Sequence, residues 1–407
     1  MAIIRPFTAL RPTPGNVERI SAVPYDVVNA DEARALAAGN PLSFLHVSRA
    51  EIGLPPSTDP YSDAVYDRAL ENFNRLRASA PLVIEDTPSV YFYRLRMGGH
   101  SQTGLTACYS LDEYDRNLIK KHERTRREKE DDRTRHISKL RAQTGPIFLT
   151  YRASRAIDAV ADRVTATPPL FDFEAIDGVR HTVWRVIGAD LALLVKAFGD
   201  LPCLYIADGH HRAASAARTR KYLAGTEPGT THEEADWMLA VAFPDNQTQI
   251  LPYNRVVKDL AGHTPEAFLA ALHARAPVSD GQPSPARKGE ISMYLGGHWH
   301  RFHLKGQAGA ADVGSTLDVS LLQDQVLAPL LKIVDPRTDK RIDFVGGIRG
   351  TGELEKLVDT GRAAAAFSLF PVGVGDLIKI ADAGEIMPPK STWFEPKLRD
   401  GLLTHLI

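Results

Sequence analysis

The stretch formed by residues 201–216 constrains the fold of this chain most, because its character changes twice within a few residues. Residues 203–207 form an apolar run that is long enough for a buried strand. The dipeptide Asp208-Gly209 then interrupts the run as a tight turn does, and the alanine-rich residues from Arg212 onward favour a helix. The pattern therefore predicts a strand, a tight turn and a helix, an arrangement at which α/β folds bind ligands.

This predicted turn has the properties of an anion-binding site. The first N–H groups of a helix have no partner within the helix, and they attract anions. Gly209 would let a ligand approach the backbone closely, and the ionisable side chains around it are those of Asp208, His210, His211 and Arg212. A helix cap at Asp208 followed by solvated polar residues is the simpler interpretation. We favour a binding site because four ionisable side chains follow directly after a buried strand.

The composition narrows the class of protein. With 43% hydrophobic and 24% charged residues among 407, the chain is an ordinary globular one that can bury a substantial core. Its net charge of −1 gives no reason to expect nucleic acid or an anionic membrane as a partner, and no apolar run is long enough for a transmembrane helix. Cys108 and Cys203 cannot form a disulfide framework, so we expect reduced thiols and a cytoplasmic protein.

Short apolar runs alternate with segments of helical periodicity along most of the chain, which predicts a mixed α/β fold. We divide it into residues 1–265, a phosphate- or nucleotide-binding core that carries the Asp-Gly-His-His-Arg turn, and residues 266–407, a C-terminal α/β portion. Residues 388–397 contain Trp393 and Phe394 at a density unusual for a disordered tail, so we expect them to pack back onto the site. For residues 250–257, which include an unusual Tyr-Asn-Arg sequence, an edge strand is the simplest interpretation.

Residues 113–141 are rich in charge and predict one long helix or two. Most of these charges fit a solvated helix, but Lys121 and Arg124 belong to a basic surface suited to phosphate. His122-Glu123 has no second histidine at helical spacing, so the zinc-protease pattern is absent. Glu123 instead suits magnesium binding or proton transfer.

Five short segments, taken in their order along the chain, resemble the domain-of-unknown-function family 1015, and the match spans residues 3–403. The Asp-Gly-His-His-Arg sequence is also similar to the phosphate-binding turn of the ParB/sulfiredoxin superfamily, whose free-serine kinases carry the same form of the turn. The five segments are Val23-Pro-Tyr-Asp-Val-Val, Lys121-His-Glu-Arg-Thr, Tyr205-Ile-Ala-Asp-Gly-His-His-Arg, Pro252-Tyr-Asn-Arg and Pro388-Pro-Lys-Ser-Thr-Trp-Phe-Glu-Pro-Lys.

The resemblance implies a ParB/sulfiredoxin-like core and phosphoryl transfer to the hydroxyl of a small molecule. Free L-serine is the leading acceptor, giving O-phospho-L-serine. The implied donor is ATP, ADP or pyrophosphate with Mg²⁺. Phosphoryl transfer needs cations on the developing negative charge and a carboxylate near the attacking hydroxyl.

These requirements assign roles to residues. Asp208 or Glu123 would accept the proton or hold magnesium, and His211 joins them as a catalytic candidate. The donor phosphates would be bound by Gly209, His210, His211, Arg212, Lys121, Arg124 and Lys390. The candidate walls of the substrate site, supported mainly by the resemblance, are Tyr25, Asp26, Asn254, Arg255 and Trp393.

Two alternatives stay open beside the kinase. One is a nucleotide-binding or nucleotide-hydrolysing regulator of the ParB type, and the other is a metal-dependent hydrolase using the two adjacent histidines. The sequence has no Gly-x-x-x-x-Gly-Lys-Ser/Thr loop and no Gly-x-Gly-x-x-Gly helix start, which excludes a P-loop kinase and disfavours a dinucleotide oxidoreductase. The expected partners are small molecules, with a homodimer also open, because residues 388–397 could close over the site of a neighbouring chain.

Overall fold

The structure, a computed structural model, describes residues 2–79, 81–227, 230–306 and 313–407. The chain forms two compact units. The first comprises Met1–Thr248 and Pro396–Ile407, and the second comprises Gln249–Glu395. The units therefore divide after Thr248, whereas the sequence analysis placed a domain boundary at residue 265.

The strands of the described residues follow in chain order. They are β1 (Ile4–Arg5), β2 (Leu10–Pro12), β3 (Leu82–Ile84), β4 (Val90–Met97), β5 (His100–Ser110), β6 (Ile119–Lys120), β7 (Ala142–Gln143), β8 (Ile147–Tyr151), β9 (Phe171–Glu174), β10 (Arg180–Val186), β11 (Leu204–Asp208), β12 (Trp237–Pro244), β13 (Ile250–Leu251), β14 (Tyr253–Val257), β15 (Val278–Asp280), β16 (Glu290–Leu295), β17 (His298–His303), β18 (Ile342–Gly346), β19 (Ala365–Leu369), β20 (Trp393–Phe394) and β21 (His405–Leu406).

The α-helices of the same residues follow in chain order. They are α1 (Val17–Ile20), α2 (Ala30–Ala37), α3 (Leu45–Ser48), α4 (Asp63–Ala78), α5 (Leu111–Asp115), α6 (Arg127–Leu140), α7 (Arg155–Thr165), α8 (Gly188–Gly199), α9 (His210–Thr226), α10 (Pro265–His273), α11 (Asp318–Leu322), α12 (Ala328–Leu331), α13 (Gly352–Asp359) and α14 (Val374–Asp382). Together with the strands they make the mixed α/β fold that the sequence predicts.

The first unit is built on a nine-stranded sheet in the order β6-β11-β8-β12-β5-β4-β10-β9, with β1 paired to β5. The sheet is mixed, because β6 and β11 run parallel, as do β8 and β12, whereas β11 and β8 run antiparallel. Leu204 and Ile206 of β11 are fully buried and belong to the same apolar cluster as Ala213 and Ala216 of α9. Burial of each large side chain contributes roughly 1.5–3 kcal/mol, so this packing fixes where the strand ends and the helix begins.

The second unit is built on a six-stranded sheet in the order β15-β17-β16-β19-β14-β18, and β13 pairs separately with β20. Strand β14 lies between β19 and β18 and is antiparallel to both. Residues 253–257 therefore form an interior strand, and the edge-strand interpretation was wrong. The reason is that two later strands, which sequence periodicity does not connect to it, pair with both of its edges.

The segment predicted as one or two charged helices differs from that prediction in its middle. It contains α5, the short strand β6, a non-helical loop over residues 121–126 and then α6. Pairing of β6 with β11 interrupts the helix, because Ile119 and Lys120 lie beside Leu204 and Tyr205. We call residues 121–126 the β6–α6 loop. Among the described residues, no helix has both the length and the apolar character needed to cross a bilayer.

Candidate functional site

The structure confirms the predicted strand, turn and helix, with Gly209 at the turn. Gly209 has φ +96° and ψ +30°, a left-handed conformation that costs other residues about 1–2 kcal/mol. A Cβ at this position would lie 3.2 Å from Nε of Arg212. The turn thus requires glycine for two reasons, its backbone angle and the guanidinium that packs against its Cα.

The N-terminus of α9 has free backbone N–H groups that could bind an anion. No side chain caps it, its first turn contains no acidic residue, and the first helical hydrogen bond runs from the N–H of Ala213 to the carbonyl of Gly209 at 3.0 Å. The N–H groups of residues 210–212 therefore precede the helical hydrogen-bond ladder. Such groups carry partial positive charge, which is the basis of phosphate binding at helix ends.

His210 and His211 hold the β6–α6 loop over this helix end. His210 Nε2 accepts the N–H of His122 at 3.4 Å, and His211 Nε2 accepts the N–H of Arg126 at 3.0 Å. An imidazole nitrogen that accepts is unprotonated, so each ring carries its proton on Nδ1. Burial is the main cause that lowers the pKa of both histidines, which keeps them neutral at pH 7.

The same loop encloses a cavity of about 320 Å³ beside the helix end. Glu123 Oε2 lies 3.7 Å from Nδ1 of His210 and its side chain is 49% exposed, so it faces an open space. Lys121 donates from Nζ to the carbonyl of Tyr114 at 2.8 Å, and Nζ lies 3.9 Å from the centroid of that ring. The cavity is lined by Tyr114, Lys121, Glu123, Arg124, Thr125 and His210.

Asp208, at the end of β11, is held as a carboxylate. Lys397 donates from Nζ to Asp208 Oδ2 at 2.9 Å. Burial by itself raises the pKa of Asp208, but the charges of Lys397 and Arg212 outweigh burial and hold the pKa well below its usual range. A carboxylate of such low pKa is a weak proton acceptor at pH 7.

Arg212 is buried beneath the turn and is surrounded by carboxylates. Its Nη1 donates to the carbonyl of Pro146, and its Nη2 lies 3.9 Å from Asp26 Oδ2. Burial by itself lowers the pKa of Arg212, but the charges of Asp26, Asp208 and Asp400 outweigh it and raise the pKa. The guanidinium therefore fixes the turn from inside the unit.

Tyr25 and Asp400 complete this buried network. The Tyr25 ring lies 4.1 Å from the guanidinium carbon of Arg133, and burial, reinforced by the charge of Asp26, raises the pKa of the Tyr25 hydroxyl. Asp400 is 3% exposed and packs so tightly on Gly145 that a Cβ there would lie 2.5 Å from its Oδ1. Burial raises the pKa of Asp400 from 3.8 to about 7, although Arg212 opposes the shift.

The raised pKa of Asp400 predicts a pH-dependent stability. The folded state binds this proton more tightly than the unfolded state, so the stabilising effect is complete below pH 3.8 and is lost as the pH rises to about 7. A shift of roughly three pKa units corresponds to about 4 kcal/mol. We expect Asp400→Asn to gain stability relative to the parent between pH 5 and pH 8, measured by urea unfolding.

Asp200→Asn, at an exposed aspartate of the same unit, is the control. Equal pH dependence of parent and Asp400→Asn would contradict this assignment.

Four of the predicted site residues belong to the second unit. Asn254 accepts the N–H of Leu369 at its side-chain oxygen at 3.1 Å, which ties two neighbouring strands together. Arg255 is buried in the same strand, and Lys390 and Trp393 contact Tyr253. The structure shows the contacts of these four residues inside the second unit. Their predicted roles in binding substrate or phosphate at the Gly209 turn stay predictions.

The first unit contains the remaining predicted residues, but in two places. Lys121, Glu123, Arg124 and His210 line the cavity, whereas Tyr25 and Asp26 lie near the buried Arg212. Two residues that the sequence analysis did not single out join them. Lys397 pairs with Asp208, and Asp400 lies beside Arg212. In the sequence, only the proline-rich segment that ends at Lys397 indicated that this part of the chain could contribute to the site. The predicted residues that the first unit contains are Tyr25, Asp26, Lys121, Glu123, Arg124, Asp208, Gly209, His210, His211 and Arg212.

Within the described ranges, no three His, Cys, Asp or Glu side chains form a group that could hold a metal ion. The chemistry of Asp208 and Glu123 fits magnesium only in part, because Mg²⁺ takes one or two carboxylates and completes its shell with water and phosphate oxygens. Magnesium binding by these two residues stays a prediction.

A glycine turn and a cavity lined by two basic side chains at a helix N-terminus form an arrangement that can bind an anion. The chain belongs to the family described as "Protein of unknown function (DUF1015)", whose match covers residues 4–320. No curated protein matches the chain.

Solved structures show weak similarity to the chain. A C-terminally truncated SbnI from Staphylococcus aureus has 13% identity and a TM-score of 0.38 over 72% of this chain and 85% of its own. A conserved hypothetical protein from Pyrococcus furiosus has 14% identity and a TM-score of 0.34 over 72% and 93% of the two chains. A free serine kinase in complex with AMP has 11% identity and a TM-score of 0.33 over 72% and 86%. At these TM-scores we base no argument on the similarities.

Proposed function

We propose that this protein is a small-molecule phosphotransferase that moves a phosphoryl group from ATP, ADP or pyrophosphate to a hydroxyl, with free L-serine as the leading acceptor. The observation that carries the proposal is the cavity at the N-terminus of α9. There the cations Lys121 and Arg124, the carboxylate Glu123 and His210, the first residue of the uncapped helix, border one space of about 320 Å³. Phosphoryl transfer needs positive charge around the transferred group and a carboxylate near the attacking hydroxyl, and a helix end can supply N–H donors to the phosphate.

The helix end is the proposed site of the phosphate that is transferred. Its N–H groups are fixed before the ligand arrives, because Gly209 sets the turn and Arg212 holds it from below. Fixed donors stabilise developing negative charge without reorganising. Lys121 and Arg124 add positive charge in the lining of the cavity. The buried Arg212 would act on the phosphate only through the turn that it holds.

Glu123 is the proposed proton acceptor for the attacking hydroxyl. Asp208 is a poorer choice, since Lys397 and Arg212 hold its pKa well below its usual range. Glu123 instead lines the cavity, and Nδ1 of the neutral His210 lies 3.7 Å from its Oε2. Magnesium, when bound, would neutralise the donor phosphates, and Asp208 and Glu123 are the carboxylates that would hold it.

His211 has a positioning role in this proposal. Its Nε2 accepts the N–H of Arg126 at the end of the β6–α6 loop, as His210 does for His122 near the start. The two imidazoles therefore hold the loop that carries Glu123 and Arg124 at two points. L-Serine as acceptor rests on the sequence resemblance of the Asp-Gly-His-His-Arg turn to that of the free-serine kinases.

The experiment is phosphorus NMR of the purified protein with magnesium, L-serine and, separately, ATP, ADP or pyrophosphate. The proposal predicts a new phosphomonoester signal that requires serine and that identifies the donor. Orthophosphate that forms at the same rate without serine would overturn it and favour the hydrolase or the nucleotide-hydrolysing regulator. A phosphomonoester that forms only with another hydroxyl compound would retain the phosphotransferase and replace the acceptor.

A further inference from the structure

The second unit contains a buried cation, Arg255, that no carboxylate of the described residues pairs with. Arg255 lies in the interior strand β14 and is 4% exposed. Among the described residues no carboxylate pairs with it: Nη1 donates to the carbonyl of Tyr253, and Nη2 approaches the carbonyl of Pro389 at 3.5 Å. Burial lowers the pKa of Arg255 to about 10. A buried charge with only neutral acceptors is costly, which is why such charges are ordinarily paired.

A second cation, Lys390, contacts the same tyrosine as Arg255. Lys390 directly follows Pro389, and its Nζ is 5.4 Å from the centroid of the Tyr253 ring. The exposed Lys390 has a left-handed backbone with φ +57°, and Ser391 Oγ donates to the carbonyl of Pro388 at 2.6 Å, which closes the turn. Arg255 and Lys390 thus both contact Tyr253, one at its carbonyl and one across its ring. Two cations at one tyrosine, with no carboxylate paired to the buried one among the described residues, would attract an anion.

We propose that the second unit has an oxyanion site of its own, in which Arg255 and Lys390 bind a phosphate group beside Tyr253. The residues of this site belong to the second unit. The proposal goes beyond the transfer reaction because it concerns phosphate binding at Arg255 and Lys390, which can be measured without turnover. A guanidinium presents two parallel N–H donors that match two oxygens of a phosphate, and an ammonium adds a compact charge.

The approach to Arg255 is on the side of residues 388–392. The contact of Nη2 with the Pro389 carbonyl is at the limit of hydrogen-bond distance, so a phosphate oxygen can replace it at little cost. The opposite face of the guanidinium is covered, because its carbon lies 5.3 Å from the Phe344 ring centroid. Binding therefore orders the turn at residues 388–392 around the anion.

A structural role for Arg255, as a cation stacked on Phe344, makes a different prediction. In that role its removal lowers stability whether or not phosphate is present. An anion-binding role predicts that Arg255→Met keeps a melting temperature within a few degrees of the parent in phosphate-free buffer. It also predicts that the variant loses the rise in melting temperature that phosphate gives the parent.

The experiment is hydrogen–deuterium exchange of the full chain, read by mass spectrometry on peptides that cover residues 386–394, during titration with inorganic phosphate and, separately, pyrophosphate and O-phospho-L-serine. We expect protection of these peptides with a midpoint that Lys390→Gln raises at least fivefold. Lys332→Gln is the matched control, since Lys332 is an exposed lysine of the same unit with φ +56°. The three titrants distinguish free phosphate from a phosphorylated small molecule.

Absence of protection at residues 386–394 with all three titrants would overturn the site, as would equal midpoints for Lys390→Gln and Lys332→Gln. Peptides over residues 119–127 report separately on the Gly209 turn in the same samples. If peptides 119–127 show no protection while peptides 386–394 do, the result would count against the proposed phosphotransferase but would support the second site. If Arg255→Met fails to fold, the comparison of Lys390→Gln with Lys332→Gln still tests the proposed site.

Discussion

Glu123→Gln is expected to lower kcat for phosphoryl transfer by about 10²–10⁴-fold, the usual contribution of a general base. The amide keeps the size of the side chain but cannot accept the hydroxyl proton. The KM for the donor is expected to rise less than kcat falls, because the helix N–H groups would still bind the phosphate and Asp208 would remain to hold magnesium. Initial rates of phosphomonoester formation at saturating acceptor measure the effect.

Glu128→Gln is the control for that substitution. Glu128 lies in the first turn of α6, just beyond the β6–α6 loop, and is also exposed. Glu128→Gln removes one negative charge, as Glu123→Gln does, only five residues further along the chain. An effect that depends only on net charge would therefore appear in both variants. Equal rates for Glu123→Gln and the parent would contradict the assignment of Glu123 as the base and return that role to Asp208.

Arg212→Met is expected to lower the free energy of unfolding by about 3–5 kcal/mol, the cost of breaking a buried ion pair from one side. The substitution leaves Asp26, Asp208 and Asp400 without the cation that they share. Urea unfolding at pH 7 measures the loss. The effect should be smaller at pH 5, because Asp400, with a pKa of about 7, is protonated there and needs the cation less.

Arg218→Met is the matched control on the same helix. Arg218 also pairs with two carboxylates, Glu130 and Asp131, but its side chain is 37% exposed. Exposed pairs contribute roughly 0–1 kcal/mol each. If Arg212→Met and Arg218→Met reduce stability equally, the buried network is not what holds the turn.

The central turn could be predicted from the sequence because its determinants are local. An apolar run, a glycine that must be left-handed and an alanine-rich helix all lie between residues 203 and 217, and each acts on its neighbours. The mixed α/β class followed from the same kind of local periodicity. Contacts between distant residues do not leave such a signal.

Three features show what local patterns miss. The β6–α6 loop is not helical because β6 pairs with a strand that comes much later in the chain, and two histidines of α9 then hold the loop. Lys397 reaches Asp208 only because Pro396–Ile407 returns to the first unit, where Asp400 pairs with Ala22 and Thr404 with Leu10. A boundary drawn from composition cannot detect a segment that returns.

The measurement that tests the central claim most directly is a crystal structure of the protein with pyrophosphate and magnesium bound. The account predicts a phosphate group at the N-terminus of α9, within hydrogen-bond distance of the N–H groups of His210 and His211 and facing Glu123. A phosphate bound elsewhere in the first unit, or a helix end that stays free of phosphate at saturating pyrophosphate, would contradict it.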